Sequence, residues 1–256
     1  MKVIVLSWRA LAQWLLGYPE AALADANQAI DDAREVGQAA TLMYALGIAS
    51  FVFVTRGDYA TANLRSDEVI ALADEKGTLF WKVQGMRLRG ECLALTGQAT
   101  DAIEVLTSAL NAYRSTGSTA LLPLDQLYLA KAHAELSQFV DARSCIGEAT
   151  TAMQTNKDRL WEAEVLRVAG EVACNSPEPD AAKAQASFER ALAVARQQQA
   201  KSWELRAAMS LARLWRDQGK PQQARELLAP VYGWFTEGFD TLDLKEAKAL
   251  LEELAS

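Results

Sequence analysis

Small and apolar residues recur along this chain with a period near forty. Small residues stand at Ala10, Ser50, Gly90, Ala130, Gly170 and Ala212. Twelve residues later comes an alanine in five units: Ala22, Ala62, Ala102, Ala142 and Ala224. In the fifth unit the interval is fourteen, and the alanine is Ala184. The extra residues fall in Asn175-Ser176-Pro177-Glu178-Pro179-Asp180, a loop-like stretch where an insertion costs little. Four beyond each alanine stands Ala26, Ser66, Leu106, Ile146, Phe188 or Leu228, and seven beyond it Ala29, Val69, Ala109, Ala149, Ala191 or Val231. These spacings describe one face of a helix.

The punctuation keeps the same period. Gly17, Gly57, Gly97 and Gly219, with Ser137 in the fourth unit, separate a first helix from a second. Gly37, Gly77 and Gly117 close the second helix, where a left-handed residue ends a helix without steric cost. Pro19 and Pro221 sit where a first-turn proline loses no intrahelical hydrogen bond. The pattern predicts an all-α chain of six antiparallel helix pairs, in units of about 1–38, 39–78, 79–118, 119–157, 158–200 and 201–238. A final helix over about 241–254 is capped by Asp240 or Thr241. Its stripe of Leu242, Leu244, Ala247, Leu250, Leu251 and Leu254 closes the stack. A single pair buries too little, so stability comes from stacking neighbours.

The other end is expected to be raw. Met1 begins inside the first helix, and Val3, Ile4, Val5 and Leu6 would meet solvent. That calls for an upstream unit, a partner, or self-association through this helix.

Composition narrows the function. Half the residues are apolar, and the strong helix formers Ala, Leu, Glu, Gln and Arg dominate. A net charge of −7 argues against a dedicated nucleic-acid binder. Three scattered cysteines (Cys92, Cys145, Cys174) and the single His133 make no zinc pattern and fit a reduced, cytoplasmic setting. The apolar start is interrupted by Arg9, and no run of eighteen uninterrupted apolar residues predicts a membrane span.

Small residue, Gly-turn, then Ala-x3-large-x2-Ala resembles the tetratricopeptide repeat. Gly170 with Ala184, Phe188 and Ala191 is the cleanest copy, and Gly57-Asp58-Tyr59 with Ala62 is another. The resemblance implies a right-handed superhelix whose first helices line a concave groove, here in repeats about six residues longer than usual. A narrower resemblance lies in 196–206, in Leu211-Ala212-Arg213-Leu214-Trp215 and in 228–241. These are similar to the C-terminal region of bacterial nucleotide cyclase/ATPase signalling proteins. It implies upstream ATPase or cyclase domains as partners. Gly219-Lys220-Pro221 lacks the upstream glycine and following Ser or Thr of a P-loop, so nucleotide chemistry would belong to those domains.

Within the chain no catalytic residue, cofactor or metal is expected. Glu91, Glu162, Glu164 and Glu171 lie on repeated helix faces. His133 has no nucleophile beside it in sequence, and Cys145 belongs to the next helix. Trp81, Trp161 and Trp203 share one repeat position and are read as structural, whereas Trp14 and Trp215 point towards the groove. Helical phase selects a groove lining of Trp14, Phe51, Arg87, Glu91, Lys131, Glu135, Arg167, Glu171, Met209, Arg213 and Arg216. It is apolar in units one and two and charged thereafter, which suits a peptide or protein partner. Salt bridges between adjacent units are the competing use of those charges. The resulting expectation is a non-enzymatic interaction or regulatory module. The alternative is the small-ligand or signalling-peptide sensor of a transcription regulator.

Overall fold

The computed structural model describes residues 1–115 and 121–255. Thirteen α-helices account for nearly all of them, and no strand occurs among the described residues. Six pairs follow in order. They are α1 (Lys2–Leu15) with α2 (Pro19–Val36), α3 (Ala39–Arg56) with α4 (Tyr59–Lys76), and α5 (Leu79–Leu95) with α6 (Ala99–Ser115). Then come α7 (Leu122–Glu135) with α8 (Phe139–Asn156), α9 (Glu162–Asn175) with α10 (Ala181–Gln197), and α11 (Lys201–Asp217) with α12 (Pro221–Tyr232). The last helix, α13 (Leu242–Glu253), packs on α11 and α12.

The repeat residues do what their size dictates. The small position of each first helix is where the second helix crosses. A Cβ on Gly90 would stand 2.5 Å from the Leu106 side chain, and one on Gly170 would stand 2.4 Å from the Phe188 ring. The alanines after the turn are fully buried, and four residues further on Leu106, Phe188 and Leu228 fill the gap between helices, where units one and two carry the small Ala26 and Ser66. The inter-helix turns take positive φ at Gly17, Gly57, Gly97 and Gly219, and at Ser137 in the fourth unit. Gly37 and Gly77 end α2 and α4 in the left-handed conformation, while Gly117 lies outside the described residues. In the lengthened fifth unit, Asp180 accepts from the Lys183 N–H at 2.9 Å and so starts α10.

The stack bends round until its ends meet. Helix α1 packs against α11, and the segment 233–241 lies over the first two inter-helix turns. Arg56 pairs with Asp240 at 3.0 Å, and Glu237 accepts from the Glu20 and Ala21 N–H groups at the start of α2. The Trp234 ring packs tilted against Tyr18, with centroids 5.7 Å apart.

Two terminal expectations change. Val3 and Leu6 do not meet solvent: they are buried, and only Ile4 and Val5 of that run are exposed. The run is one amphipathic turn whose inner face packs on the following helices, so the residues three apart, Val3 and Leu6, find cover. At the other end Thr241 precedes α13, but its hydroxyl donates to the Gly238 carbonyl at 2.7 Å instead of capping, and Asp240 is taken by Arg56. Leu242 is partly exposed and leans on Gly57 of the second unit. Helix α3 is long and apolar enough to cross a membrane, but it is the central helix of the first core, with ten of its side chains buried.

Candidate functional site: a divided central channel

The first helices of the six pairs face inward. Because the stack closes, their concave face becomes a channel and not an open groove. Four aromatic rings block its middle. Trp14 lies 5.4 Å from Phe51 and 4.7 Å from Trp203; Trp161 lies 5.3 Å from Phe51 and 6.3 Å from Trp203, all edge-on. They come from units one, two, five and six. Edge-to-face packing of this kind adds to the area that the rings bury.

A cavity remains at each end of this plug. The first, of about 160 Å3, is an apolar bay lined by Trp8, Leu11, Ile48, Phe51, Leu124 and Trp161, with Arg87 and Glu91 in its wall. Arg87 is buried and donates to Gln84 at 2.8 Å, to Glu91 at 3.4 Å and to Asp125 of the next unit. Burial pushes the Glu91 carboxyl up to about 7, against the pull of Arg87 and with the help of Asp125. Burial also raises Asp125 despite its bond to Arg87. One guanidinium therefore serves two buried carboxylates.

The second, of about 300 Å3, is a polar bay at the opposite ends of the same helices. Arg167 holds Glu164 through two bonds of 2.6 and 2.7 Å, and also binds Glu171 and Ser210. Arg206 donates to Asp243 of α13 at 2.8 Å and to the Thr55 carbonyl at 3.2 Å, and its guanidinium lies 5.2 Å from the Trp14 and Trp203 rings. Arg213 pairs with Glu246 at 2.7 Å. Burial would raise Glu164, but Arg167, Arg206 and Lys131 outweigh it and hold the carboxyl at about 2. Burial lowers Lys131, with the Arg167 charge acting the same way.

The predicted lining residues divide between these features. Trp14 is in the plug, and Phe51 belongs to both plug and apolar bay. Arg87 and Glu91 reach the apolar bay, while Lys131, Arg167, Glu171, Met209 and Arg213 reach the polar one. Glu135 is exposed beside Gly97, and Arg216 pairs with Asp217 and Glu253, both outside either bay. Trp215 packs partly buried against the second core. Sequence phase stopped one turn short. Gln84, Glu164 and Arg206 lie six residues before their unit's small position, on the same stripe, and belong to the site. Tyr59 and Asp243 come from a second helix and the terminal helix, where no repeat signal reaches them.

Nucleophilic chemistry finds little support in this arrangement. Burial pushes the Cys92 thiol to about 12 and the Cys145 thiol to about 11. His133 Nδ1 sits 2.7 Å from the Gln138 side-chain oxygen. No cluster of three metal-ligating side chains occurs among the described residues.

No family model matches the chain, and no curated protein matches it. Solved structures do. A Rap protein complexed with competence and sporulation factor superposes with a TM-score of 0.69 at 12% identity, over 99% of this chain and 74% of that one. The apo form of RapI gives 0.67 at 13%, over 98% and 85%. A signal-transduction ATPase with numerous domains and a tetratricopeptide-repeat sensor, from Pyrococcus horikoshii, gives 0.51 at 15%, over 98% of this chain but only 38% of that one. The class is therefore an all-helical, tetratricopeptide-like solenoid. At these identities the likeness establishes the fold alone.

Proposed function

We propose that this chain is a non-catalytic regulatory domain that senses a short peptide, or an exposed segment of a protein partner, in its central channel. The observation that carries this reading is the divided channel. Bays of about 160 and 300 Å3 accept one or a few side chains, whereas a partner helix is about 10 Å across. An extended peptide or a small ligand is therefore the occupant that fits. The Rap structure with a bound factor and the ATPase with a repeat sensor both support a sensing role for this fold. The second supports a further proposal, that an ATPase domain is an output partner of this module inside the cytoplasm, with a cyclase domain implied by the sequence resemblance alone.

The walls of each bay come from at least five units, the apolar bay from units one to five and the polar bay from units two to six with α13, so an occupant ties together units far apart in sequence. Binding should raise the melting temperature of the whole chain, since a ligand of the folded state stabilises by mass action. Screening pooled short peptides by thermal shift tests this, with Arg213→Glu as the control at the polar bay. If no pool shifts the wild-type melting temperature, and no peptide-dependent capture of a partner is seen, the sensing reading falls.

A further inference from the structure

The charges around the apolar bay do not balance. Arg87 is the one cation bonded to two buried carboxylates, Glu91 and Asp125; Arg114 also pulls on Asp125 but is itself paired with Glu148 at 3.1 Å. Asp158, in the turn before α9, adds a third acid to the bay's lining, though it also accepts the Leu160 N–H at 2.9 Å. The Glu91 side chain is only 5% exposed. Its one hydrogen bond among the described residues is the 3.4 Å contact from Arg87 to Oε1; Oε2 has none among them, and the residue lines the bay. Around it stand Trp8, Leu11, Phe51 and Trp161, an apolar and largely aromatic wall. A buried net negative charge beside aromatic faces is costly when empty. Two things relieve it, a proton or an organic cation.

We infer that the apolar bay takes an organic monocation with an apolar body about the size of one large side chain, its ammonium set against Glu91 and its body against Phe51, Trp8 and Trp161. Two sources share that chemistry: a free arylalkylamine, and the N-terminal ammonium of a peptide beginning with a large apolar residue. The inference deepens the sensing role proposed above and rests on it. In the free protein the raised carboxyl of Glu91 holds a proton below about pH 7. The groups facing it are Arg87 and Cys92 on its own helix, Asp125 and Tyr128 on α7, and Asp158 before α9. A cation that binds there displaces the proton to solvent, so charge is conserved and binding is linked to pH.

The test uses the full chain in calorimetric titrations. The probes are phenethylamine, the neutral and nearly isosteric phenethyl alcohol, and a Phe-Ala-Ala amide peptide with a free or acetylated N-terminus. At pH 8 the amine should bind at least about tenfold more tightly than the alcohol, and this preference should shrink by about tenfold per pH unit below 7. Glu91→Gln should erase the preference, and Ile48→Trp, which fills the rim without touching a charge, should block both probes. Preference for the free over the acetylated peptide would assign the peptide source; preference for phenethylamine with an indifferent peptide would assign the free amine. Equal binding of amine and alcohol, or an amine preference that survives in Glu91→Gln, overturns the inference. So does failure of every one of these probes to bind, while a peptide pool still shifts the melting temperature; the sensing role then stands. Loss of every ligand response removes both.

Discussion

The Ser202 hydroxyl of α11 donates to the Trp14 carbonyl of α1, tying the sixth unit to the first across 188 positions of sequence. Trp203 follows directly and packs edge-on against the Trp14 ring. An open solenoid has no reason to join its ends. Here the joint converts a concave face into a channel, and the joint is what makes both bays.

Closure should therefore be separable from folding of the units. Gly238 has φ 76°, and a Cβ there would stand 2.0 Å from Pro19 Cγ, so a side chain must push the 233–241 segment off the first turn. Gly238→Val is expected to cost about 2–4 kcal/mol. It should also increase the radius of gyration in solution scattering and speed amide exchange in α1 and α13. Asp240→Ala, which removes only a partly exposed ion pair, should cost under about 1 kcal/mol and leave the shape unchanged. Unchanged scattering for the valine variant would show that the clasp does not hold the ring.

Glu91 makes stability depend on pH in a known direction. Its carboxyl stands at about 7 in the folded chain against 4.5 for the free group. The folded state binds the proton more tightly, so this stabilisation is complete below about pH 4.5 and disappears as pH rises through 7. Urea unfolding of wild type and Glu91→Gln at pH 5.5 and pH 8 checks the sign. The variant should gain on wild type by about 2 kcal/mol between those two conditions. A constant difference would mean that Glu91 does not carry the proton.

Glu164 should behave in the opposite sense. Held at about 2 by Arg167, Arg206 and Lys131, it contributes stability that is present above the ordinary carboxylate range and lost as pH falls through 2. Glu164→Gln removes the charge shared by the buried Arg167 and the partly buried Arg206 guanidinium groups. At pH 7 it is expected to cost about 3–5 kcal/mol in chemical unfolding. The cost should shrink on acidification, and a cost under about 1 kcal/mol at neutral pH would refute the pairing.

The helix crossings offer a packing test. An alanine at Gly170 would place its Cβ 2.4 Å from the Phe188 ring. Gly170→Ala alone should cost about 1–3 kcal/mol through overpacking. Combining it with Phe188→Leu should cost less than the two separate losses together, because the smaller side chain makes room; the double-mutant cycle in urea gives this coupling directly. Additive losses would mean that the two positions do not share the crossing.

Ala22, Gly90, Phe188 and the turn glycines needed only the sequence, because a repeat imposes the same steric demand at the same interval and so declares itself. The inward stripe was legible for the same reason: Arg87, Glu91, Arg167 and Arg213 follow from helical phase, and one more turn back along it would have reached Glu164 and Arg206. What phase could not supply was the small rotation between successive units, which adds up over six pairs and belongs to no single residue. That rotation brings Trp14 to Trp203, sets Asp243 of the last helix on Arg206, and divides the channel into two bays of different chemistry. Local periodicity determined the helices and the face each one turns inward. Only the tertiary structure decided that those faces meet each other, because closure depends on the summed geometry of the whole stack.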